Sequence, residues 1–226
     1  MATSAKLYLT LAIAGGVTAL AYSVVSLSVA QPAPFVFLSA LALLGGGLKL
    51  RLAGIRGTLS LSFLPIVLST QLLSLPETIL LTAGAAAVQT LLSSKRKPQL
   101  VQTAFNISAL VLSITLAVWA SAWVMGSWSQ QARLVSIAAA ASIYYLSNTL
   151  LVSGIICLVE HKPLAALWSN CYFWTLPYYL IGGLLMLFAA ETAIRVDWPP
   201  SLLILSMMLL VYRYYKMWLA RSGMDQ

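Results

Sequence analysis

Eight long apolar segments divide this chain of 226 residues and leave little sequence outside them. A helix that crosses a bilayer needs about 20 mostly apolar residues, within a range of about 17 to 25. Only 8% of the residues are charged, whereas a soluble domain carries about 25% and needs them to cover its surface. The sequence therefore predicts one all-α domain over residues 1–226, a polytopic transmembrane bundle of about eight helices in lipid.

The predicted helices are joined by short links. Their bounds are Leu7–Val29, Phe35–Leu52, Thr58–Leu73, Pro76–Leu92, Val101–Val124, Leu134–Val159, Tyr172–Ala190 and Pro200–Leu219. The first run is longer than the roughly 7–15 apolar residues of a cleaved signal peptide, so we expect it to be retained. The stretch 31–34, Gln-Pro-Ala-Pro, predicts a tight turn, and residues 162–171 predict a short interfacial helix.

The basic residues predict the orientation of the helices. With the N-terminus inside, eleven of the thirteen Lys and Arg residues fall in inner segments, and only Arg133 and Arg195 fall in outer ones. This positive-inside bias predicts both termini on the cytoplasmic side of a bacterial inner membrane. The net charge of +8 does not indicate nucleic-acid binding, because the charges form small clusters between apolar runs. The expected partners are the lipid bilayer and other membrane subunits or further copies of the chain.

Groups that could perform catalysis or bind a metal are scarce. The single histidine, His161, has Cys157 as its only further candidate ligand nearby, which is too few for a zinc site. The carboxylates are predicted on two faces separated by about 30 Å of bilayer. We therefore expect no enzyme activity, no metal and no cofactor, and we expect Cys157 and Cys171 to be free thiols.

Among the polar side chains of the predicted helices, we single out Gln89, Asn106, Tyr144 and Asn148 as candidates for a polar site. Amides at membrane depth need hydrogen-bond partners, since lipid offers none. One interpretation is hydrogen bonding between helices. The other is a polar ligand pocket lined by Asn148 and by Tyr144, which lies one turn away.

Three charged residues, Glu77, Glu191 and Arg195, are predicted at the outer face. The sequence Ser74-Leu-Pro-Glu77 fits a capping box, in which the glutamate reaches back to the start of its helix. The alternative is a carboxylate that contacts a ligand. Glu191 and Arg195 are four residues apart and predict a surface ion pair.

Several sequence segments within residues 45–219 together carry a resemblance to a known family. They are SLPETILL (74–81), KRKPQLVQTAFN (95–106), NTLLVSGII (148–156), EHKPL (160–164), NCYFWTLPYYLIGG (170–183) and VYRYYKMWL (211–219). Together they resemble the N-terminal membrane region of bacterial signalling proteins, in which it precedes diguanylate cyclase or HD-type phosphodiesterase domains acting on cyclic di-GMP. The resemblance implies a sensory input or anchoring role. No such output domain precedes Gln226, so the output activity is not carried over.

Another sequence segment indicates a different class of protein. The stretch GTLSLSFLPIVL (57–68) is similar to the early loop-and-helix region of substrate-binding subunits of energy-coupling-factor vitamin transporters. That similarity implies capture of a small molecule, with Ala12 and Gly16 as a candidate docking motif on the first helix. A third hypothesis is a structural accessory subunit, which the small extramembrane mass suits. The primary expectation is a non-catalytic membrane module that serves as sensory input, anchor or scaffold for a partner protein.

Overall fold

The structure is a computed structural model that describes residues 3–51, 58–92, 99–127, 133–165 and 176–195, with single positions at 168, 206, 213 and 217. The helices within these residues are α1 (Thr3–Val25), α2 (Pro32–Gly47), α3 (Phe63–Leu72), α4 (Leu75–Leu92), α5 (Leu100–Ser127), α6 (Arg133–Glu160) and α7 (Leu176–Arg195). Two three-residue strands, β1 (Lys49–Arg51) and β2 (Thr58–Ser60), form one antiparallel hairpin between α2 and α3. The predicted all-α class is confirmed.

Three of these helices are long and apolar enough to cross a membrane, namely Thr3–Val25, Leu100–Gly126 and Arg133–Glu160. They indicate that the chain associates with a membrane. By contrast, α2 has 16 residues and α3 has 10. At about 1.5 Å per residue α3 is about 15 Å long, half the thickness of a hydrocarbon core. The eighth predicted helix lies outside the described residues, apart from the helical positions Ser206, Arg213 and Met217.

The second helix differs from its prediction at both ends. It begins at Pro32, so the predicted tight turn at 31–34 is wrong; proline suits the first helical position, where its missing N–H is not needed. It ends at Gly47 instead of Leu52, because the three glycines 45–47 weaken the helix. Leu48 is extended, and Lys49 and Arg51 lie on β1 instead of the predicted helix end.

The third predicted helix is wrong over its first five residues. Residues Thr58–Ser60 form β2, with Ser60 opposite Lys49, and α3 begins only at Phe63. Pro65 explains the late start. Proline is tolerated in the first turn of a helix but breaks a helix interior, and a helix from Thr58 would contain Pro65 in its interior.

Contacts between side chains give the directions of the helices. α5 and α6 are antiparallel, because Ser121 near the end of α5 contacts Ser136 near the start of α6. Gln71, near the end of α3, contacts the same two serines. α3 therefore ends, and α4 begins, at the end of the bundle where α5 ends. We call this the Glu77 end, and we call the opposite end, where α1 begins, the Lys6 end.

The core surrounds the short helix α3. Every residue of α3 from Phe63 to Ser69 is buried, and the side chains of Ile66, Val67 and Leu68 are fully enclosed. This helix packs against α2, α5, α6 and α7. α1, in contrast, lies at the periphery and exposes large apolar side chains along its length. The structure therefore places its shortest helix at the centre and a long apolar helix at the edge.

Candidate ligand site around the start of α3

α3 begins inside the bundle, where water cannot satisfy its backbone. The first N–H groups of an α-helix have no partner within the helix. Here the Ser62 N–H donates to the Ser60 hydroxyl oxygen at 3.4 Å, and the Leu64 N–H donates to the Leu61 carbonyl oxygen at 3.2 Å. Pro65 has no N–H to satisfy. The local sequence thus reduces the number of unpaired donors at a buried helix start.

Two serine hydroxyls connect the hairpin to α2 and α3. Ser60 and Ser62 are 6% and 2% exposed. The Ser60 hydroxyl donates to the Gly45 carbonyl oxygen at 2.9 Å, and its oxygen lies 3.0 Å from the Ser62 hydroxyl oxygen. A serine hydroxyl carries one hydrogen. Because Ser60 gives its hydrogen to Gly45, Ser62 is the donor in the bond between the two serines.

Glycine at position 45 allows α2 to approach the start of α3. A Cβ atom on Gly45 would lie 2.7 Å from the Ser62 nitrogen and 2.9 Å from the Ser62 Cα. Both atoms belong to backbone, which cannot turn aside as a side chain can. A Cβ atom on Gly47 would have no neighbour within 4 Å. The two glycines therefore have different roles, although they are two residues apart.

Aromatic rings cover the start of α3 on the side of α6 and α7. The ring centroid of Tyr179 is 4.6 Å from that of Phe63, 5.0 Å from that of Tyr145 and 6.3 Å from that of Tyr144. Tilted ring pairs at such distances stabilise beyond the area they bury. Gly182 makes room for them, because a Cβ atom there would lie 2.6 Å from Phe63. We call this group the α3-start cluster, and it consists of Ser60, Ser62, Phe63, Tyr144, Tyr145 and Tyr179.

Trp168 extends the rings toward the Lys6 end. Its ring centroid is 6.4 Å from that of Tyr145, and its indole N–H donates to the Thr149 hydroxyl oxygen at 3.0 Å. The Thr149 hydroxyl in turn donates to the Tyr145 carbonyl oxygen at 2.8 Å. A residue beyond α6 is thereby connected to the α3-start cluster through one hydrogen-bonded threonine.

A second polar group holds the other end of α3. The amide nitrogen of Gln71 donates to the hydroxyls of Ser121 at 2.8 Å and Ser136 at 3.2 Å, and it lies 3.1 Å from the hydroxyl of Thr70. The hydroxyl oxygens of Ser121 and Ser136 are 2.7 Å apart, and both residues are buried. We call these four residues the Gln71 cluster. It ties α3 to α5 and α6 at the Glu77 end.

The α3-start cluster combines buried hydroxyls with aromatic ring faces. Its six residues include no carboxylate, imidazole, thiol or amine. Ring faces bind planar apolar groups by stacking, and a few hydroxyls fix the orientation of a bound molecule. The cluster therefore combines apolar ring faces with serine hydroxyls that already bond to each other and to Gly45, and it provides no strong general base for a covalent reaction.

The structure brings only one of the four predicted pocket residues into this cluster. Tyr144 belongs to it, and Asn148 lies one turn further along α6, half-buried. Gln89 lies across the glycine-rich end of α2, where its backbone nitrogen is 3.4 Å from a Cβ position on Gly46. Asn106 is elsewhere, half-buried on α5. Among the described residues these three amides form no side-chain hydrogen bond, so their pairing remains a prediction.

Glu77 lies at the start of α4, and the predicted contact of its carboxylate with Ser74, at the start of the same helix, is confirmed. One oxygen of its carboxylate, Oε2, accepts from the Ser74 N–H at 2.8 Å and from the Ser74 hydroxyl at 2.7 Å. The Glu77 side chain is 2% exposed, so it is buried although the sequence predicts an outer-face charge. The backbone of Glu191 and Arg195 lies at the end of α7, and their predicted ion pair lies outside the described side chains.

The link after α6 starts with a sharp change of direction. His161 has a φ of 53°, in the left-handed region, and the exposed Lys162 pairs with Glu160 at 2.6 Å. Cys157 is a free, half-buried thiol, whereas Cys171 lies outside the described residues. No three metal-ligating side chains come together in the part of the chain that the structure describes.

Sequence reasoning missed most of the α3-start cluster and all of the Gln71 cluster. Gln71 could have been singled out from the sequence, because it is an amide side chain within a predicted helix, as Gln89 is. The pair Tyr144–Tyr145 and the pair Ser60–Ser62 were also visible as neighbours. These serines and tyrosines come close together only because α3 begins at Phe63. A helix that began at Thr58, as predicted, would not bring them together.

Comparisons with models of known protein families, with curated proteins and with solved structures find no match for this chain. Its function is therefore inferred from its own residues.

Proposed function

We propose that the chain is a polytopic, non-catalytic module of a bacterial cytoplasmic membrane that serves as sensory input or anchor for a partner protein. The observation that carries the proposal is the enclosed helix α3, which is too short to cross a bilayer and is tied at both ends to neighbouring helices. Non-helical backbone at membrane depth is tolerated where protein encloses it or where it lines a cavity. Interrupted spans of this kind form the binding sites of many membrane transporters.

The contacts of α3 give such a module a means of response. A molecule bound at the α3-start cluster would touch α3, α6 and α7 together, because Phe63, Tyr145 and Tyr179 come from these three helices. The Gln71 cluster would pass a displacement of α3 to α5 and α6. A ligand shifts such an equilibrium only by its difference in affinity for the two arrangements. We propose that the contacts which make the ligand's affinity differ between the two arrangements lie at the α3-start cluster.

The proposed orientation puts the Lys6 end in the cytoplasm. The positive-inside bias of the sequence supports it. Trp119 and Trp123, which are 61% and 70% exposed near the end of α5, suit an aromatic belt at the opposite, Glu77 end. In a variant without native cysteines, Ala33→Cys should react with an impermeant thiol reagent added to intact cells, and Lys162→Cys should not. The reverse labelling pattern would contradict the orientation.

A transport subunit remains the second candidate, and the hairpin followed by a short enclosed helix favours it as a small-molecule site. Its docking surface would have to differ from the small-residue motif of the first helix. Gly16 packs against Ser108 so closely that a Cβ atom would lie 2.3 Å from the Ser108 Cβ, and Ala12 is 7% exposed. These residues join α1 to α5 and are not free to dock on another subunit. An accessory subunit is the third candidate, supported by the exposed apolar face of α1.

The test is purification of the full chain from its native membrane in mild detergent, with mass spectrometry of the proteins and small molecules that accompany it. We expect a protein with a soluble signalling domain, and a small molecule that is lost from the Tyr179→Leu variant but retained by Asn106→Leu. ATPase and transporter subunits would contradict the proposal in favour of the second candidate. Subunits of an energy-converting complex would contradict it in favour of the third.

A further inference from the structure

Trp168 contacts α6 far from the end of that helix. Its indole N–H donates to the Thr149 hydroxyl oxygen at 3.0 Å, and Thr149 lies eleven residues before Glu160, the last residue of α6. At about 1.5 Å per residue, this contact is about 16 Å from the Lys6 end of the helix. α6 is one of the candidate membrane spans. Trp168, eight residues after Glu160, therefore lies back along the helix that the chain has just left.

The hydrogen bonds at Thr149 have a fixed direction. The Thr149 hydroxyl carries one hydrogen, which it donates to the backbone of α6, with the Tyr145 carbonyl oxygen at 2.8 Å. Toward Trp168 the hydroxyl can therefore only accept, and an indole N–H can only donate. Lipid offers no acceptor for an indole N–H at membrane depth. Thr149 thus supplies an acceptor that Trp168 needs, and the replacement of either side chain removes the bond.

The ring of Trp168 also packs against the α3-start cluster. Its centroid is 6.4 Å from that of Tyr145, and the Tyr145 centroid is 5.0 Å from that of Tyr179. Tyr145 is fully buried, so its ring cannot shift without displacing its neighbours. A rearrangement of the cluster therefore changes the surface against which Trp168 packs.

Residues 161–165, which we call the link segment, join α6 to Trp168 at the surface of the molecule. All five residues of the link segment are exposed. His161 has a φ of 53°, and a left-handed residue directly after a helix ends the helix and turns the chain. Ala165 is three residues before Trp168, a separation that even extended chain limits to about 11 Å. A shift of Trp168 is therefore carried to the link segment.

We propose that Trp168 couples the α3-start cluster to the link segment, so that the two change their arrangement together. The cluster is buried among the helices, whereas the link segment lies at the Lys6 end, which the proposed orientation puts in the cytoplasm. Trp168 contacts Tyr145 and Thr149 on one side and is joined to the link segment by a short stretch of chain on the other. The coupling is a property of this chain alone. Its use, which rests on the proposed function, is to pass a rearrangement within the membrane to a cytoplasmic partner protein.

Two substitutions remove the hydrogen bond of Trp168 from its two sides. Trp168→Phe keeps an aromatic ring and loses the N–H donor, whereas Thr149→Val keeps the branched shape and loses the acceptor. Thr115→Val on α5 is the matched control, because the Thr115 hydroxyl also donates to the carbonyl oxygen four residues earlier. Tyr179→Leu removes the ring that packs on Tyr145 within the cluster and leaves the bond of Trp168 in place.

The experiment places a nitroxide spin label on Leu164→Cys, in the full chain without native cysteines, reconstituted in liposomes. Leu164 is 43% exposed, so the label has room there. The spectrum gives the ratio of mobile to immobile label. Trp168→Phe and Thr149→Val should each raise this ratio by about 2- to 12-fold, the shift expected from the loss of one hydrogen bond, and Thr115→Val should not. Because both substitutions remove the same bond, the double variant should show little further rise.

Tyr179→Leu should raise the ratio as well, because the cluster then no longer holds the Tyr145 ring against Trp168. An unchanged ratio in Trp168→Phe, Thr149→Val or Tyr179→Leu would overturn the coupling. An equal response of the same label on Leu7→Cys of α1 would also overturn it, because the variants would then loosen the whole bundle. The measurement uses no partner protein, so its failure is distinct from a failure of the proposed function, which the co-purification tests.

Discussion

α1 and α3 are both apolar helices, but the surface of α1 is exposed and that of α3 is enclosed by protein. α1 has 23 residues, and Leu7 and Leu11 are 60% and 64% exposed. α3 has 10 residues, and its central side chains are fully enclosed by other helices. An apolar surface in contact with lipid needs length, whereas an apolar surface in contact with protein needs complementary neighbours. Apolar character alone therefore does not tell which helix spans a membrane.

The largest expected effect comes from a cavity in α3. Ile66→Ala should lower the free energy of unfolding by about 2–5 kcal/mol, because Ile66 is fully buried and its neighbours relax only in part. Leu11→Ala on α1 should change it by no more than about 0.5 kcal/mol, since Leu11 is exposed. Unfolding by SDS titration measures both. Equal losses for the two variants would remove the distinction between the two helices.

A smaller effect is expected where α2 meets the start of α3. Gly45→Ala should destabilise the protein by about 1–3 kcal/mol, because its Cβ atom would meet the backbone of Ser62. Gly47→Ala, whose Cβ atom meets nothing within 4 Å, should leave stability unchanged or raise it slightly. The thermal midpoints of the two variants test this pair. Tolerance of alanine at position 45 would show that α3 is held less tightly than the structure indicates.

The sequence predicts the long helices α5 and α6 better than the short enclosed helix α3, and it places α1 four residues too late at both ends. α5 and α6 begin and end within three residues of their predicted bounds, because long apolar runs bounded by polar residues leave few alternatives. α3 was predicted as part of a longer helix, although residues 58–62, Thr-Leu-Ser-Leu-Ser, alternate polar and apolar side chains as a strand does. Their strand pairing with β1 and the serine bonds to Gly45 are contacts between distant residues, which periodicity does not report.

The smallest expected effect distinguishes two amides. Gln71→Leu should cost about 0.6–1.7 kcal/mol, the range for hydrogen bonds between membrane helices, because Gln71 bonds to Ser121 and Ser136. Asn148→Leu should cost less, because the Asn148 side chain forms no hydrogen bond among the described residues. The free energies of unfolding in SDS give the comparison. A greater loss of unfolding free energy for Asn148→Leu than for Gln71→Leu would show that Asn148, the residue predicted from the sequence, makes the stronger polar contact between helices.

The contrast between α1 and α3 is tested most directly by labelling the unmodified chain from the lipid phase. The protein is reconstituted in liposomes and treated with a lipid-soluble carbene reagent, and the labelled residues are mapped by mass spectrometry. Peptides of α1 that contain Leu7 and Leu11 should be labelled heavily, and the peptide of α3 from Ile66 to Leu68 should be free of label. Labelling of α3 at the level of α1 would contradict an enclosed α3, and with it the proposed ligand site at its start.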